Sequence, residues 1–437
     1  MKHFFILVLI AFSFQAKAQN MYFPPVNNNL PWDTLSPESL GWCTNKIDSL
    51  YNYLGSEKTK AFIVLKNGKI VLEKYFGTFT KDSIWYWASA GKTITAFLVG
   101  KANEDGILKL SDSTSKFLGT GWTNVPPDKE GKITIRNQIT MTSGLDDGVP
   151  DDNCTIDTCL NYLADAGTRW AYHNGPYTLL EKVLQNASGQ NINVYTQQKL
   201  KTQTGITGSW FTIGYDNVYI SKPRAMARFG ILIQNKCKWN NTPLLSDTAY
   251  IRQMVNTSQQ LNKSYGYLWW LNGKSSFMAP TSQIVFPGSY APDAPADMYA
   301  AIGKNGQILS IAPSSGIVFV RMGESNNPNS VPFTFTSQIW KRLNAVICQT
   351  TASNPILERN EALEIFPNPT KDQLNLRFPQ GTTEIQITDI LNREILNEKI
   401  SFEESEKVLE TRTWKTGYYL VRYLTIKGWM VKKVWKD

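Results

Sequence analysis

Residues 85–95 read WYWASAGKTIT, with Ser89 three positions before Lys92 and an aromatic run directly ahead of both. At a helix start that spacing projects the two side chains from one face. One reading is a helix beginning with a serine cap; the other is a nucleophile with its base. A serine hydroxyl is a poor nucleophile at neutral pH until a neighbouring base takes its proton. A lysine serves when burial and nearby positive charge lower its pKa into the working range. The helix start adds a backbone N–H and a positive dipole end for a developing oxyanion. Ser-x-x-Lys alone has little specificity, so the rest of the chain has to distinguish the two readings.

The competing chemistries are poorly supplied. The chain has only two histidines, His3 and His173. A zinc site draws on two or three clustered His or Cys ligands, so no metal and no cofactor is expected. A Ser-His-Asp triad would have to use His173, and Gly-x-Ser-x-Gly is missing because Trp87 stands where its first glycine belongs. His173 is read as structural or lining the pocket. Asp146, Asp147, Asp151 and Asp152 are read as a solvated acidic loop, their spacing matching no calcium-loop template. The net charge of +9 comes without any run of five basic residues. It is therefore read as solvated surface, with no nucleic-acid partner.

The sequence between residues 36 and 349 has mixed helical and strand character. AFIVLKNGKIVLEKYFG (61–77) predicts a hairpin turning at Asn67-Gly68. The stretch after Ser89 carries Ile94, Phe97, Leu98 and Ala102 at helical spacing and stops near Gly106. PYTLLEKVLQNASG (176–189) predicts a second helix, and QILSIAPSSGIVFVRMG (307–323) two strands. Together they suggest one sheet with helices against it. Tyr172 and Asn174 fall at a chain turn before the second helix. Lys304-Asn305-Gly306 is placed at the start of a strand. Of Trp269 and Trp270, alternating on a strand, one is expected in the core and the other in the cleft.

Ser-x-x-Lys, Tyr-x-Asn and Lys-x-Gly in that order resemble the serine β-lactamase and penicillin-binding-protein superfamily, in its class C-like branch. MTSGLDDG (141–148), YGYLWW (265–270) and IGKNGQ (302–307) extend the resemblance over residues 36–349. It implies an α/β (α+β) β-lactamase/transpeptidase-like fold, an antiparallel sheet flanked by helices. It also implies a nucleophile at Ser89, Lys92 as its proton acceptor, and Tyr172 sharing the base's duty. Asn174 would bond Lys92 and a substrate amide, and Lys304 would raise the positive potential. The amide of Gln307 would join that of Ser89 as oxyanion hole, with Asn305 and Gly306 completing the substrate-binding set. Asn305 replaces the threonine of class C β-lactamases and cannot supply its hydroxyl. The expected function is a serine hydrolase acting on an ester, an amide or D-amino-acid peptide, or a β-lactam. The alternative is a catalytically silent surface binder of peptidoglycan peptide or β-lactam.

Residues 350–363 have a linker's composition. The segment 364–437 alternates apolar and polar residues in the manner of a small all-β sandwich. FPNPTKDQLNL (366–376), ITDILNRE (387–394), GYYLVRY (417–423) and KKVWKD (432–437) resemble the type A sorting domain of type IX secretion. The resemblance implies the secretion machinery as partner. At the other end, residues 1–18 read as a signal peptide: Lys2, an apolar run, then Ala16-Lys17-Ala18. Residues 19–35 form an extension. An exported, monomeric protein is expected, at the cell surface or released, with Cys154–Cys159 and Cys43–Cys348 as candidate disulfides and Cys237 left over.

Overall fold

The computed structural model describes residues 21–327, 331–348, 363–379, 382–389, 393–401, 404, 406–425 and 428–437. The expected signal peptide and most of the expected linker lie outside them. The chain divides into two compact units, Met1–Gln349 and Thr350–Asp437.

The first unit is built in chain order from α1 (Ile47–Ser56), β1 (Thr59–Lys66), β2 (Lys69–Tyr75), α2 (Lys92–Glu104), α3 (Asn174–Ser188), β3 (Ser209–Ile213), β4 (Asp216–Ser221), α4 (Pro223–Gln234), β5 (Tyr299–Gly303), β6 (Gln307–Ala312), β7 (Ile317–Gly323) and α5 (Phe333–Ile347). The main sheet runs β2-β1-β7-β6-β5 and ends on the short strand Trp270–Leu271, antiparallel throughout. The predicted hairpin is β1–β2. Asn67 and Gly68 both take positive φ, 48° and 86°, as the tight turn matching strand twist requires.

Every residue of β6 and β7 is buried, which an antiparallel sheet reaches only when both faces are covered. Alternate residues show by what. A Cβ on Gly230 of α4 would come within 2.6 Å of Val318 and 2.8 Å of Leu309, so only glycine lets this helix lie so close. On the neighbouring residues, facing the other way, Trp340 of α5 packs on Phe319 at 5.5 Å and donates to the Ser310 hydroxyl at 3.0 Å. The sheet is thus sandwiched between helices. The disulfide Cys43–Cys348 ties its two chain ends, Cys154–Cys159 closes a small loop, and Cys237 is buried and free.

The second unit holds β8 (Glu364–Phe366), β9 (Gln373–Arg377), β10 (Glu384–Asp389), β11 (Glu394–Lys399), β12 (Glu406–Glu410), β13 (Gly417–Thr425) and β14 (Gly428–Lys436). They form two sheets, β8-β9-β12 and β11-β10-β13-β14. Leu374, Leu376, Ile385, Ile387, Val421 and Val434 form a core of their own, which accounts for the period-two pattern in the sequence.

Candidate active site

The aromatic run ahead of Ser89 is pinned to β4. Trp85 and Tyr86 pair with Ser221 and Ile220, the Trp87 amide donates to Tyr219 O at 2.8 Å, and its indole donates to Ser221 Oγ at 2.7 Å. The chain then makes a tight 3-10 turn, Ala88–Gly91, and continues straight into α2. Ala88 sits in the left-handed region at φ 47°, a conformation that costs a residue with a Cβ about 1–2 kcal/mol. Such strain persists where surrounding packing dictates it, and it concentrates at functional sites.

Lys92 is 5% exposed and its Nζ donates to Ser89 Oγ at 3.4 Å. That is long for a hydrogen bond, as is common for a nucleophile–base pair without substrate. The ammonium also lies 3.9 Å from the centre of the Tyr177 ring and 5.4 Å from that of Tyr172. Burial brings the Lys92 pKa down to about 8, against the upward pull of Asp216 and Asp152. Lys304, expected to depress Lys92, acts instead on Asp216, whose pKa burial raises on balance while Lys92 and Lys304 pull it down. Burial drives the Tyr172 pKa well above the ordinary phenol value, against a downward pull from Ser89. Its ring stacks on Trp270 at 5.8 Å with 16° between planes. Trp269 is in the core and Trp270 lines the cleft, the division expected, although the strand begins only at Trp270 and does not include Trp269.

Two lobes meet at Ser89. Tyr172, Trp270, Ile302 and Val331 help to wall one of about 490 Å³. Lys92, Tyr177, Asp216 and Tyr86 help to wall the other, of about 630 Å³. Ser89, Asp152, Asn174 and Lys304 line both. Several expectations need correcting here. Asp152 is half-buried against the cleft rather than solvated. It accepts a hydrogen bond from Asn174 Nδ2 at 3.1 Å. Asn174 therefore bonds Asp152 where Lys92 was expected, and its Oδ1 is buried without a partner among the described residues. His173 is 2% exposed and lines neither lobe, with a pKa held down to about 4 by burial.

The third motif is also displaced. Lys304–Gly306 forms the turn between β5 and β6 and not the start of a strand, because Gly303 and Gln307 are the closing pair of that hairpin. The residue pressed against the Ser89 turn is Gly303, where a Cβ would lie 2.4 Å from Trp87 O and 2.9 Å from Ala90 N. Gln307 is fully buried and lines neither lobe; its side chain donates to Gly323 O at 2.6 Å and accepts from Gly323 N at 3.0 Å. Asn305 donates to the Tyr86 hydroxyl at 2.7 Å and lines the second lobe. Gly306 is buried inside the turn.

Arg321 of β7 holds this turn. Fully buried, it donates to Asn305 O at 2.7 Å, Gly306 O at 3.0 Å, Glu57 O at 2.6 Å and Glu324 O at 2.7 Å. A buried guanidinium is tolerable only when its donors are satisfied this fully. Arg321 and Asp216 went unnoticed in the sequence. Among the described residues, no group of three His, Cys, Asp or Glu could hold a metal ion.

The beta-lactamase family model matches residues 57–337, well over half of the chain. The chain belongs to the beta-lactamase family. A secretion-system C-terminal sorting-domain model matches residues 364–437, which marks a type IX secreted or cell-surface protein. Among curated relatives, the D-alanyl-D-alanine-carboxypeptidase/endopeptidase AmpH of Escherichia coli K12 is 27% identical over 37% of this chain. A beta-lactamase of the same organism is 22% identical over 61% of this chain and 81% of its own length. The chain spans 43% of AmpH and 45% of another curated relative, under half of each. Two solved structures share the fold. A penicillin-binding protein homologue from Caulobacter crescentus is 11% identical with TM-score 0.53, covering 69% of this chain and 97% of that one. The octameric homologue from Pyrococcus abyssi is 15% identical with TM-score 0.52, covering 89% and 99%. No helix among the described residues is long and apolar enough to cross a membrane.

Proposed function

We propose that this protein is an exported serine hydrolase that cleaves an ester, amide or β-lactam through an acyl-Ser89 intermediate. One observation carries the reading: Ser89 Oγ lies 3.4 Å from a buried lysine whose pKa is brought down to about 8. Near neutrality an appreciable fraction of Lys92 is neutral and can accept a proton, whereas Tyr172 stays protonated.

Ser89 Oγ attacks the carbonyl carbon as its proton passes to Lys92 Nζ, giving a tetrahedral oxyanion. The amide of Ser89 supplies one donor of the oxyanion hole, and the β5–β6 turn that Gly303 seats against the Ser89 turn supplies the other. Collapse of the intermediate breaks the bond to the leaving group, which takes the Tyr172 proton. The proton on Lys92 then passes to the Tyr172 phenolate, restoring both groups. A water attacks the acyl-Ser89 carbonyl as its proton passes to Lys92, and collapse of that intermediate releases the acid while the Ser89 oxygen takes the proton back from Lys92. Residues 1–18 direct export and the sorting tail carries the protein across the outer membrane.

A panel of p-nitrophenyl esters, D-amino-acid p-nitroanilides and nitrocefin tests the reading, with Ser89→Ala alongside. Turnover of at least one class, lost in the variant, is expected. Stoichiometric labelling without turnover would instead favour a binder that never deacylates.

A further inference from the structure

The two lobes that meet at Ser89 differ in their carboxylates. The first has Asp152 alone beside Tyr172 and Trp270. The second brings two carboxylates from distant segments to one wall, Asp152 from the loop before α3 and Asp216 from the start of β4. Asn174 engages Oδ2 of Asp152. The Asp216 carboxylate meets no hydrogen-bond donor and no ion-pair partner among the described residues. Both are half-buried, and burial raises the pKa of both.

Lys92 and Lys304 are the cations that face them. With both charged, the two lysines offset Asp152 and Asp216, and the exposed Asp151, which acts on both carboxylates, adds further negative charge. To act as base, however, Lys92 must be neutral, which leaves Asp152 and Asp216 against Lys304 alone. The working state of the cleft therefore carries one uncompensated negative charge in a partly desolvated lobe, an unfavourable arrangement that a bound cation relieves. Tyr172 lines only the first lobe. A leaving group that takes its proton departs there, so the acyl group occupies the second.

We infer that the second lobe selects acyl groups bearing one cationic amine, with Asp216 as the recognising carboxylate and Asp152 beside it. The inference rests on the acyl-Ser89 reading for its orientation. It names a substrate class, amine-bearing acyl donors, and disfavours anionic ones.

Three penicillins that differ only at the side-chain α-carbon probe this directly: benzylpenicillin carries hydrogen there, ampicillin an ammonium and carbenicillin a carboxylate. Their binding to the full-length Ser89→Ala protein is measured by calorimetry at about pH 7.5, where an α-amine is still mostly protonated and a substantial fraction of Lys92 is neutral. Ampicillin should bind about tenfold more tightly than benzylpenicillin, the worth of one charge-assisted hydrogen bond, and carbenicillin most weakly. Asp216→Asn in the same background should abolish the preference while melting at the same temperature. Should that variant melt early, Asp216→Ser takes its place, with Asp152→Asn expected to weaken the preference. Equal binding of the three, binding of none, or a preference that survives loss of Asp216 overturns the inference. Covalent labelling of wild-type Ser89 by a fluorophosphonate is scored separately. Its failure sinks the hydrolase reading alone, and its success beside equal penicillin binding sinks the amine preference alone.

Discussion

The Lys92 amine is held between the Ser89 hydroxyl at 3.4 Å and the face of the Tyr177 ring at 3.9 Å. The ring and the carboxylates of Asp152 and Asp216 favour the charged amine, and burial opposes them. Burial wins, but only to about 8. The residue is therefore a base that a small change in its surroundings retunes.

The acylation rate should accordingly rise with pH and level off above about 8, since the neutral fraction of Lys92 grows tenfold per pH unit below its pKa. Lys92→Arg cannot shed its proton and should acylate at least a hundredfold more slowly, the usual contribution of a general base. Asp216→Asn removes a group that raises the Lys92 pKa, so its rate limb should shift towards acid. Stopped-flow acylation across pH reads all three. An active Lys92→Arg would transfer the role to Tyr172.

Gly303→Ala would drive a methyl group to 2.4 Å from Trp87 O. Backbone on both sides has to separate, costing roughly 1–3 kcal/mol of stability. Because the displaced segment carries Ser89, kcat/KM should fall by about a hundredfold. Thermal melts and kinetics on one preparation check both numbers. A variant that melts early but acylates normally would detach Gly303 from the site.

His173 is neutral when buried, with its pKa lowered from the model-compound value of 6.5 to about 4. Between those values the unfolded chain binds a proton that the native protein does not, so stability is lost as pH falls from 6.5 towards 4. Replacing it, as in His173→Gln, should flatten the loss of melting temperature across that window. Activity of the folded variant at neutral pH should remain, because His173 lines neither lobe.

Deleting residues 364–437 should leave the first unit folded, since its core is separate from that of the tail. The truncated protein should stay in the periplasm, as cell fractionation would show. Normal release would contradict the sorting role.

Much of the site was legible because it is local. Ser89 and Lys92 are one helical turn apart, and Asn67-Gly68 is a hairpin turn by itself. What was missed depends on tertiary approach. Asp216 reaches the cleft only because β3 and β4 fold back under Trp85 and Tyr86. Arg321 reads as an ordinary strand residue until its guanidinium is seen holding three chain segments. The displacement of the third motif had a signal: Asn305-Gly306 is a turn dipeptide, and Asn305 does adopt φ 62°. Taking it as a turn would have ended the strand at Gly303.

The central claim is that Ser89 becomes acylated. The most direct measurement is the intact mass of the full-length protein after incubation with a fluorophosphonate, followed by peptide mapping. One adduct per chain on the peptide containing Ser89, absent in Ser89→Ala, is predicted. An unmodified wild-type mass, or equal labelling of the Ser89→Ala variant, would contradict it.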